Sequence, residues 1–137
     1  MPTTSASATG YTGSSFSNRL LYDMNMARAH YGLPPMYQVY GMLYVSGRWT
    51  NHMEWYRLLN HNPLLVSQVS YHRPRWTVLG ENVGDAYAQD PDSLFRAYWK
   101  SAPHRANILT RSFRYVGVTT AISGSTAWNT VDFVNAC

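Results

Sequence analysis

The spacing of apolar residues is helical near the start of this chain and strand-like near its end, and this contrast limits the fold classes open to it. Over residues 17–31 and 39–59 apolar side chains recur at helical intervals, which predicts two amphipathic helices. Over residues 115–122 and 128–134 the pattern alternates with a period of two, which predicts a terminal β-hairpin. Because the predicted helices come first in the chain and the predicted hairpin comes last, the order indicates an α+β domain rather than a βαβ array.

Proline, glycine and acidic residues divide the middle of the chain. Residues 60–90 contain several Pro and Gly residues around short apolar pieces, which predicts irregular connections with a brief strand near residues 77–79. Asp90-Pro91-Asp92-Ser93 is typical of a helix start. Pro103 then interrupts that third helix, and residues 104–109 are expected to form one further short turn.

The N-terminal residues differ in composition from the rest of the chain. Residues 1–16 are rich in Ser, Thr, Gly and Ala, which predicts a flexible segment. Ser17 is the predicted N-cap of the first helix, and Gly32 is its predicted stop. The domain organisation is therefore a flexible segment of residues 1–16 followed by one folded domain over residues 17–137.

Length and composition fit a single folded domain. The chain has 137 residues, of which 45% are hydrophobic and 13% charged. A chain of this size buries about 68% of its unfolded surface, which is enough for a core without disulfide or metal staples. Its apolar runs are too short for a transmembrane span. Cys137 is the single cysteine, which excludes an intramolecular disulfide and leaves a monomer or a dimer through Cys137.

The formal net charge of +4 favours anionic partners such as acidic polymers, anionic lipid or nucleic acid. The arginines are scattered rather than gathered in one run, which argues against nucleic acid. Arg73 and Arg75 stand beside Tyr71 and Trp76, and such a set can stack on and neutralise an anionic glycan or a lipid head group. A solvated basic loop is the alternative interpretation.

Two histidines and one glutamate lie at connections rather than on apolar stripes: His61, Glu81 and His104. Two imidazoles and a carboxylate can bind a divalent metal with an open coordination position, or can serve in acid/base chemistry. The separations of 20 and 23 residues are not a metal motif by themselves. Structural hydrogen bonds made by loop residues are the alternative interpretation.

Four short motifs follow one another in the chain. They are Asn-His-Asn-Pro at 60–63, Gly-Glu-Asn-Val at 80–83, Trp-x-Ser-x-x-His-Arg-x-Asn-Ile-Leu at 99–109 and Tyr-x-Gly-Val at 115–118. In this order they resemble the CAP superfamily, also called the SCP or cysteine-rich secretory protein, antigen 5 and pathogenesis-related 1 domain. The compact bacterial branch is the most similar, and the resemblance covers about residues 17–135.

The resemblance implies an α-β-α sandwich with a central cleft that holds two His and two acidic residues. Three of these positions are matched, by His61, Glu81 and His104. The position of the second acid is Ala102, preceded by Ser101, so a three-residue site is expected. Such a site can hold Zn²⁺ or another divalent cation, and the missing carboxylate implies weak binding.

Neighbouring polar residues are candidates for orienting these ligands. Asn82 and Ser101 are expected to contact the imidazoles or the carboxylate from outside the site. For Asn82, structural hydrogen bonding is the other interpretation. For Glu81, the other interpretation is a carboxylate that ties the cleft loop to backbone N–H groups.

The resemblance implies a secreted, extracellular binding module whose ligands are a divalent ion in the cleft and lipid, sterol-like or anionic cell-envelope molecules at nearby surfaces. The chain opens without a basic or apolar leader region, so either a signal peptide was removed before this chain was made, as the secreted interpretation expects, or there was none. Two alternatives stay open. One is a metal-dependent hydrolase with Glu81 as general base, and the other is a structural or interaction domain with a vestigial site.

Overall fold

Within residues 10–136, which the computed structural model describes, four strands form one mixed sheet between two layers of helices. The elements in chain order are α1 (Gly13–His30), β1 (Tyr37–Gln38), α2 (Tyr40–Tyr56), α3 (Leu65–His72), β2 (Leu79–Tyr87), α4 (Pro91–Lys100), α5 (Ala102–Ile108), β3 (Tyr115–Ser123) and β4 (Thr126–Val134).

The strand order is β1-β3-β4-β2, with β1 parallel to β3 and the other neighbours antiparallel. The predicted hairpin is confirmed, because β3 and β4 pair along their whole length. Gly124 in the turn has a φ of +60°, a backbone conformation that favours glycine. β4 is thus a central strand, bonded on both sides, although it is the last element of the domain.

The first helix begins earlier than predicted. Its N-cap is Thr12, whose side chain accepts the backbone N–H of Ser15, while the Ser15 hydroxyl accepts the N–H of Thr12. The predicted N-cap at Ser17 is wrong, because this residue lies inside the helix and is buried. The last four residues of the segment predicted to be flexible therefore belong to α1, and residues 1–9 lie outside the described residues.

The region 60–90 is more regular than predicted. It contains the helix α3 and the long strand β2, where irregular connections and a brief strand near 77–79 were expected. Two glycines inside β2 explain why the strand was missed. A Cβ at Gly80 would lie 2.8 Å from an Asn107 side-chain oxygen, and one at Gly84 would lie 2.9 Å from the Tyr98 ring. These glycines allow α4 and α5 to pack closely on the strand.

The predicted helix start at Asp90 is confirmed. The Asp90 side chain accepts the N–H of Ser93 at 3.1 Å, and Pro91 is in the first turn of α4. Ser101 ends α4 and begins α5, which corresponds to the predicted short turn at 104–109, but Pro103 lies in the first turn of α5 and is not the break itself. The second helix is also present, and it ends at Arg57, which has a left-handed φ of 56°.

Two cores of unequal size lie on the two faces of the sheet. The larger one is enclosed by α1, α4 and α5 and includes Phe16, Leu20, Met24, Leu94, Tyr98 and Phe133. The smaller one lies under α2 and α3 and consists of Met42, Val45, Val69 and Val134, with partly buried neighbours. The predicted α+β class and α-β-α sandwich are confirmed. Along residues 10–136 no helix is both long and apolar enough to cross a membrane.

A fully buried arginine ties α1 to the chain that follows α5. Arg28 donates hydrogen bonds to five backbone carbonyls, those of Pro34, Ile108, Thr110, Arg111 and Phe113. Burial, followed by the charges of neighbouring arginines, lowers the pKa of Arg28. A guanidinium presents five N–H groups in a planar fork, so this one side chain can satisfy several carbonyls of an irregular loop. The loop in turn fixes the end of α5.

Candidate functional site

His61 and Glu81 form a direct pair. His61 lies in the connection between α2 and α3, and its Nδ1 is 2.9 Å from Oε1 of Glu81 in β2. The same carboxylate oxygen accepts the backbone N–H of Asn62 at 2.9 Å. The Glu81 side chain is 3% exposed and that of His61 is 66% exposed. A buried carboxylate therefore holds a solvent-facing imidazole, and among the described residues its Nε2 has no hydrogen-bond partner.

A second carboxyl group, that of Asp132, faces Glu81 from the adjacent strand. Glu81 and Asp132 are directly opposite in the β2–β4 pair. Burial, followed by the hydrogen bond with Glu81 and its charge, raises the pKa of Asp132 well above its usual value. Across the described part of the chain, Oε2 of Glu81 and both carboxyl oxygens of Asp132 receive no N–H or O–H from a third residue. The two carboxyl groups thus lie together in a buried position between β2 and β4, where a second negative charge is disfavoured.

His104 lies in α5 and is held by two neighbours. Its Nδ1 is 2.7 Å from Oγ of Ser101, and its ring stacks on that of Tyr98 with centroids 5.1 Å apart. Burial, and then the charge of His61, lowers the pKa of His104. His104 is therefore neutral at pH 7, and the two imidazoles lie within electrostatic reach of each other.

Two asparagines fasten α5 to β2. The buried Asn82 donates to the backbone carbonyl of His104 at 3.1 Å and accepts from Nδ2 of Asn107 at 2.9 Å. Asn107 also donates to the backbone carbonyl of Glu81 at 3.3 Å. Asn82 thus makes structural hydrogen bonds, and these bonds set the position of His104 relative to Glu81.

Several known structures have this arrangement of helices and sheet. An extracellular protein of Bacillus anthracis that contains an SCP domain superposes with a TM-score of 0.75 at 18% identity, covering 90% of this chain and 41% of that chain. A cysteine-rich secretory protein of Staphylococcus aureus superposes with a TM-score of 0.76 at 15% identity, covering 90% of this chain and 39% of that chain. An outer surface protein of Borrelia burgdorferi gives 0.82 at 10% identity and covers 93% of this chain and 98% of that chain. The chain has the SCP fold.

The likeness is one of fold. At the level of sequence, no protein-family model and no curated protein matches this chain. This chain spans about two fifths of the length of the two proteins: 41% of the Bacillus protein and 39% of the Staphylococcus protein.

Within this SCP fold, both carboxylate oxygens of Glu81 already have protein neighbours. Its Oε1 is bound by His61 and Asn62, and its Oε2 is buried against Asp132. Among residues 10–136 no group of three or more His, Cys, Asp and Glu side chains is placed to hold a metal ion. The two imidazoles are the groups with open nitrogens, and the ligand set of His61, Glu81 and His104 stays a prediction.

Arg73 and Arg75 lie beyond the end of α3. The Arg73 guanidinium is 5.7 Å from the centre of the Tyr115 ring, and Arg75 is in an exposed turn. In the described part of the chain, neither makes a hydrogen bond or ion pair with His61, Glu81 or His104. The structure does not bring these two arginines into the imidazole site.

Sequence reasoning missed Asp132 and Tyr98. An aspartate within an apolar strand is a signal for a buried carboxyl group, but the strand pairing that sets it opposite Glu81 is not visible in the sequence. Tyr98 lies on the apolar stripe of α4, where it is indistinguishable from a core residue. Its hydroxyl donates to Oδ1 of Asn129 at 2.8 Å, and its ring stacks on the ring of His104.

Proposed function

We propose that this chain is an extracellular binding module in which His61 and His104 together bind one divalent transition ion weakly. The observation that carries this proposal is that each imidazole has its Nδ1 engaged by an oxygen, from Glu81 in one case and from Ser101 in the other. Histidines that bind metals usually donate their second N–H to such an oxygen, which fixes the tautomer and leaves Nε2 for the ion.

The chemistry of the two rings selects the kind of ion. Because burial lowers the pKa of His104, its imidazole is neutral and able to ligate at pH 7. Imidazole nitrogens suit Zn²⁺ and similar transition ions, whereas Mg²⁺ prefers oxygen. Two protein ligands, with water in the other positions, provide a weak and exchangeable site.

The same geometry does not favour Glu81 as a general base. A base must be able to reach a substrate proton or an attacking water. One oxygen of Glu81 is bound by His61 and Asn62, and the other is buried against Asp132. We therefore propose binding rather than metal-dependent hydrolysis as the role of this site.

The test is a calorimetric titration of the chelator-stripped chain with Zn²⁺ and, separately, with Mg²⁺. We expect saturable one-site binding of Zn²⁺, no binding of Mg²⁺, and loss of the Zn²⁺ signal in the His61→Ala/His104→Ala double variant. Glu81→Gln is expected to weaken Zn²⁺ binding about tenfold or more, because the ring of His61 loses its orienting charge.

His30→Ala provides the matched control, since it removes an imidazole at the end of α1 and should leave the affinity unchanged. Zn²⁺ binding of equal strength in the double variant would overturn the proposal.

The extracellular location is part of this proposal. The structurally similar proteins are described as extracellular, secretory and outer surface proteins. Treatment of intact cells that produce the full protein with a protease should degrade it, or it should be found in the medium. Complete protection until the cells are lysed would contradict an extracellular location.

We propose a second binding function, for a lipid or sterol-like molecule in the groove between α1 and α4. Apolar side chains of Tyr22, Met26, Ala27 and Phe95 line a cavity of about 370 Å³ there. Arg96, Asp23 and Asp92 also line it. An apolar lining in a cavity of this size suits an acyl chain or a sterol-like molecule.

Displacement of a fluorescent sixteen-carbon fatty acid tests this groove. We expect Ala27→Trp, which fills the cavity, to lower the affinity at least tenfold. Ala97→Trp adds the same side chain at an exposed position of α4 and should have no effect. Equal affinity in the two variants would contradict a site between α1 and α4.

A further inference from the structure

A groove between α2 and α3 lies on the face opposite α1 and α4. It consists of two adjoining cavities of about 380 and 310 Å³, which share the side chains of Arg48 and Gln68. One end reaches Tyr44 and Tyr71, and the other reaches Asn62, next to His61. Each cavity is within the size range of sites for small molecules. We call this surface the α2–α3 groove.

The side chains that line the α2–α3 groove combine aromatic faces with polar groups. Tyr44 and Tyr71 are 46% and 84% exposed, although tyrosine rings of this size usually contribute to a core. Gln68 and Asn62 add amides, and Arg48 adds a cation. Among the described residues that line the two cavities, none is acidic.

The rings and the guanidinium hold one another in place. Nη1 of Arg48 donates to the Tyr44 hydroxyl at 3.1 Å, and its guanidinium lies 5.6 Å from the centre of that ring. His72 stands between the tyrosines, with ring centroids 5.4 Å from Tyr44 and 5.2 Å from Tyr71. The polar and aromatic groups are therefore preorganised, which lowers the entropy lost when a ligand binds.

The amides are also held in a fixed orientation. Nδ2 of Asn62 donates to Oε1 of Gln68 at 2.8 Å, and Oδ1 of Asn62 accepts the N–H of Leu64. In the described part of the chain, Nε2 of Gln68 makes no hydrogen bond. The amide of Gln68 therefore presents free N–H donors in the middle of the groove, beside Arg48.

The charge of the groove is not balanced by neighbouring carboxylates. Glu54 is the single acidic residue in the sequence from 40 to 72. It is two positions from His52, which lines the groove, and so its side chain is rotated about 200° around α2 from that of His52. Within residues 10–136 Arg48 makes no ion pair. Arg19 and Arg96 on the opposite layer, by contrast, contact aspartates. Arg48 is left as an unpaired cation between aromatic rings.

We propose that the α2–α3 groove binds a short segment of an acidic oligosaccharide. The tyrosine rings provide flat surfaces on which pyranose rings stack, the Gln68 amide donates to sugar hydroxyls, and Arg48 pairs with the carboxylate or sulfate of the sugar. A lipid chain would leave the amide donors unsatisfied. A nucleic acid or polyphosphate would need a series of cations along the groove.

The proposal is tested by calorimetry in the presence of a chelator, so that the result does not depend on the imidazole site. The probes are a hexamer of galacturonic acid, a sulfated hexasaccharide, a neutral glucose hexamer and inorganic polyphosphate. We expect saturable binding of at least one of the two acidic sugars, and the stronger of them identifies the anionic group. The neutral sugar should bind at least tenfold more weakly.

Two variants, each with a matched control, locate the site. Arg48→Gln is expected to weaken binding of the acidic sugar about tenfold, and Tyr71→Ala about fivefold, as for the loss of one charged contact and one stacked ring. Arg111→Gln and Tyr87→Ala remove the same kinds of side chain at exposed positions elsewhere, and should leave the affinity unchanged.

Three results would overturn the proposal. The first is equal binding of the neutral and acidic sugars, and the second is binding of polyphosphate as strong as that of the sugars. The third is an affinity that Arg111→Gln lowers as much as Arg48→Gln does, because only net charge would then matter.

Discussion

The two helical layers cover the same sheet in different ways. On one side α1, α4 and α5 enclose the larger core, with Phe16 and Leu20 completely buried. On the other side α2 and α3 cover a core that contains four fully buried side chains, and they leave large aromatic residues such as Trp55 and Tyr71 exposed.

This difference indicates that the two helical layers contribute unequally to the stability of the domain. Burial of apolar area provides most of the stabilisation of a fold, so the layer with the larger core contributes more to stability. The layer with less burial leaves more of its large aromatic side chains exposed, although His104 and the groove between α1 and α4 belong to the other layer. The imidazole of His61 and the α2–α3 groove both belong to this second side. The following predictions test this contrast, beginning with the largest effect.

Replacing the buried guanidinium should cause the greatest loss of stability. We expect Arg28→Met to lower the free energy of unfolding by about 3–5 kcal/mol, because several buried carbonyls lose their donor at once. Urea unfolding followed by circular dichroism measures the change. Arg48→Gln, on the α2–α3 side, should alter it by less than about 0.5 kcal/mol. Similar losses in the two variants would refute the proposed contrast.

Two glycine substitutions test how closely α2 approaches the sheet. A Cβ at Gly117 in β3 would collide with the backbone carbonyl of Met42, so Gly117→Ala should cost about 2–3 kcal/mol. At Gly47 the nearest atom is a Thr119 methyl carbon at 3.7 Å, so Gly47→Ala should be neutral or stabilising by up to about 1 kcal/mol. Thermal unfolding distinguishes the two. A stable Gly117→Ala variant would show that α2 can shift.

The larger layer should also show a pH dependence. Burial, followed by the hydrogen bond with Asp92 and its charge, raises the pKa of Asp23 from 3.8 to about 7. Because the folded state then holds this proton more tightly than the unfolded state, stability falls as pH rises from about 4 to 7 and is level above that. Asp23→Asn should therefore be more stable than the parent at pH 8, by about 1 kcal/mol or more once solvent screening of this partly exposed group is allowed for, and equal at pH 4. Identical pH profiles for the two proteins would contradict this.

The smallest effects are expected for single aromatic changes. Tyr71→Ala should leave the unfolding free energy within about 0.5 kcal/mol of the parent, since the side chain is 84% exposed. Tyr98→Phe should cost about 1 kcal/mol, because the buried hydrogen bond to Asn129 is lost. A loss of more than 2 kcal/mol for Tyr71→Ala would mean that this ring is needed for folding and is not reserved for binding.

Much of the fold could be predicted where local signals act alone. The apolar stripe of α1, the acidic start of α4 at Asp90 and the alternation of β3 and β4 are all present in short stretches of sequence. The start of α1 was misplaced because Thr12 and Ser15 form a reciprocal cap inside a stretch whose composition is that of a linker. β2 was missed because it contains glycines, which are unusual in strands. They are needed because α4 and α5 pack closely on the strand, and that packing is not visible in the local sequence.

The site was predictable in part. The sequence motifs indicated His61, Glu81 and His104 as site residues, and in the structure each of them makes a specific polar contact. The pairing of Glu81 with Asp132 depends on strand register, and the support of His104 by Tyr98 depends on the packing of α5 against α4. Such relations between distant segments are not encoded in any local pattern.

The central position of β4 has a consequence for how the chain reaches its folded state during synthesis. β4, the strand bonded on both sides, follows all the other described elements in the chain and is therefore synthesised after them. Until residue 134 has emerged, β2 has no neighbour, and the carboxyl partner of Glu81 is absent. Contacts between segments far apart in sequence also form slowly. The earlier segments must therefore wait with their apolar surfaces uncovered, and an unfinished chain is the form most exposed to aggregation and proteolysis.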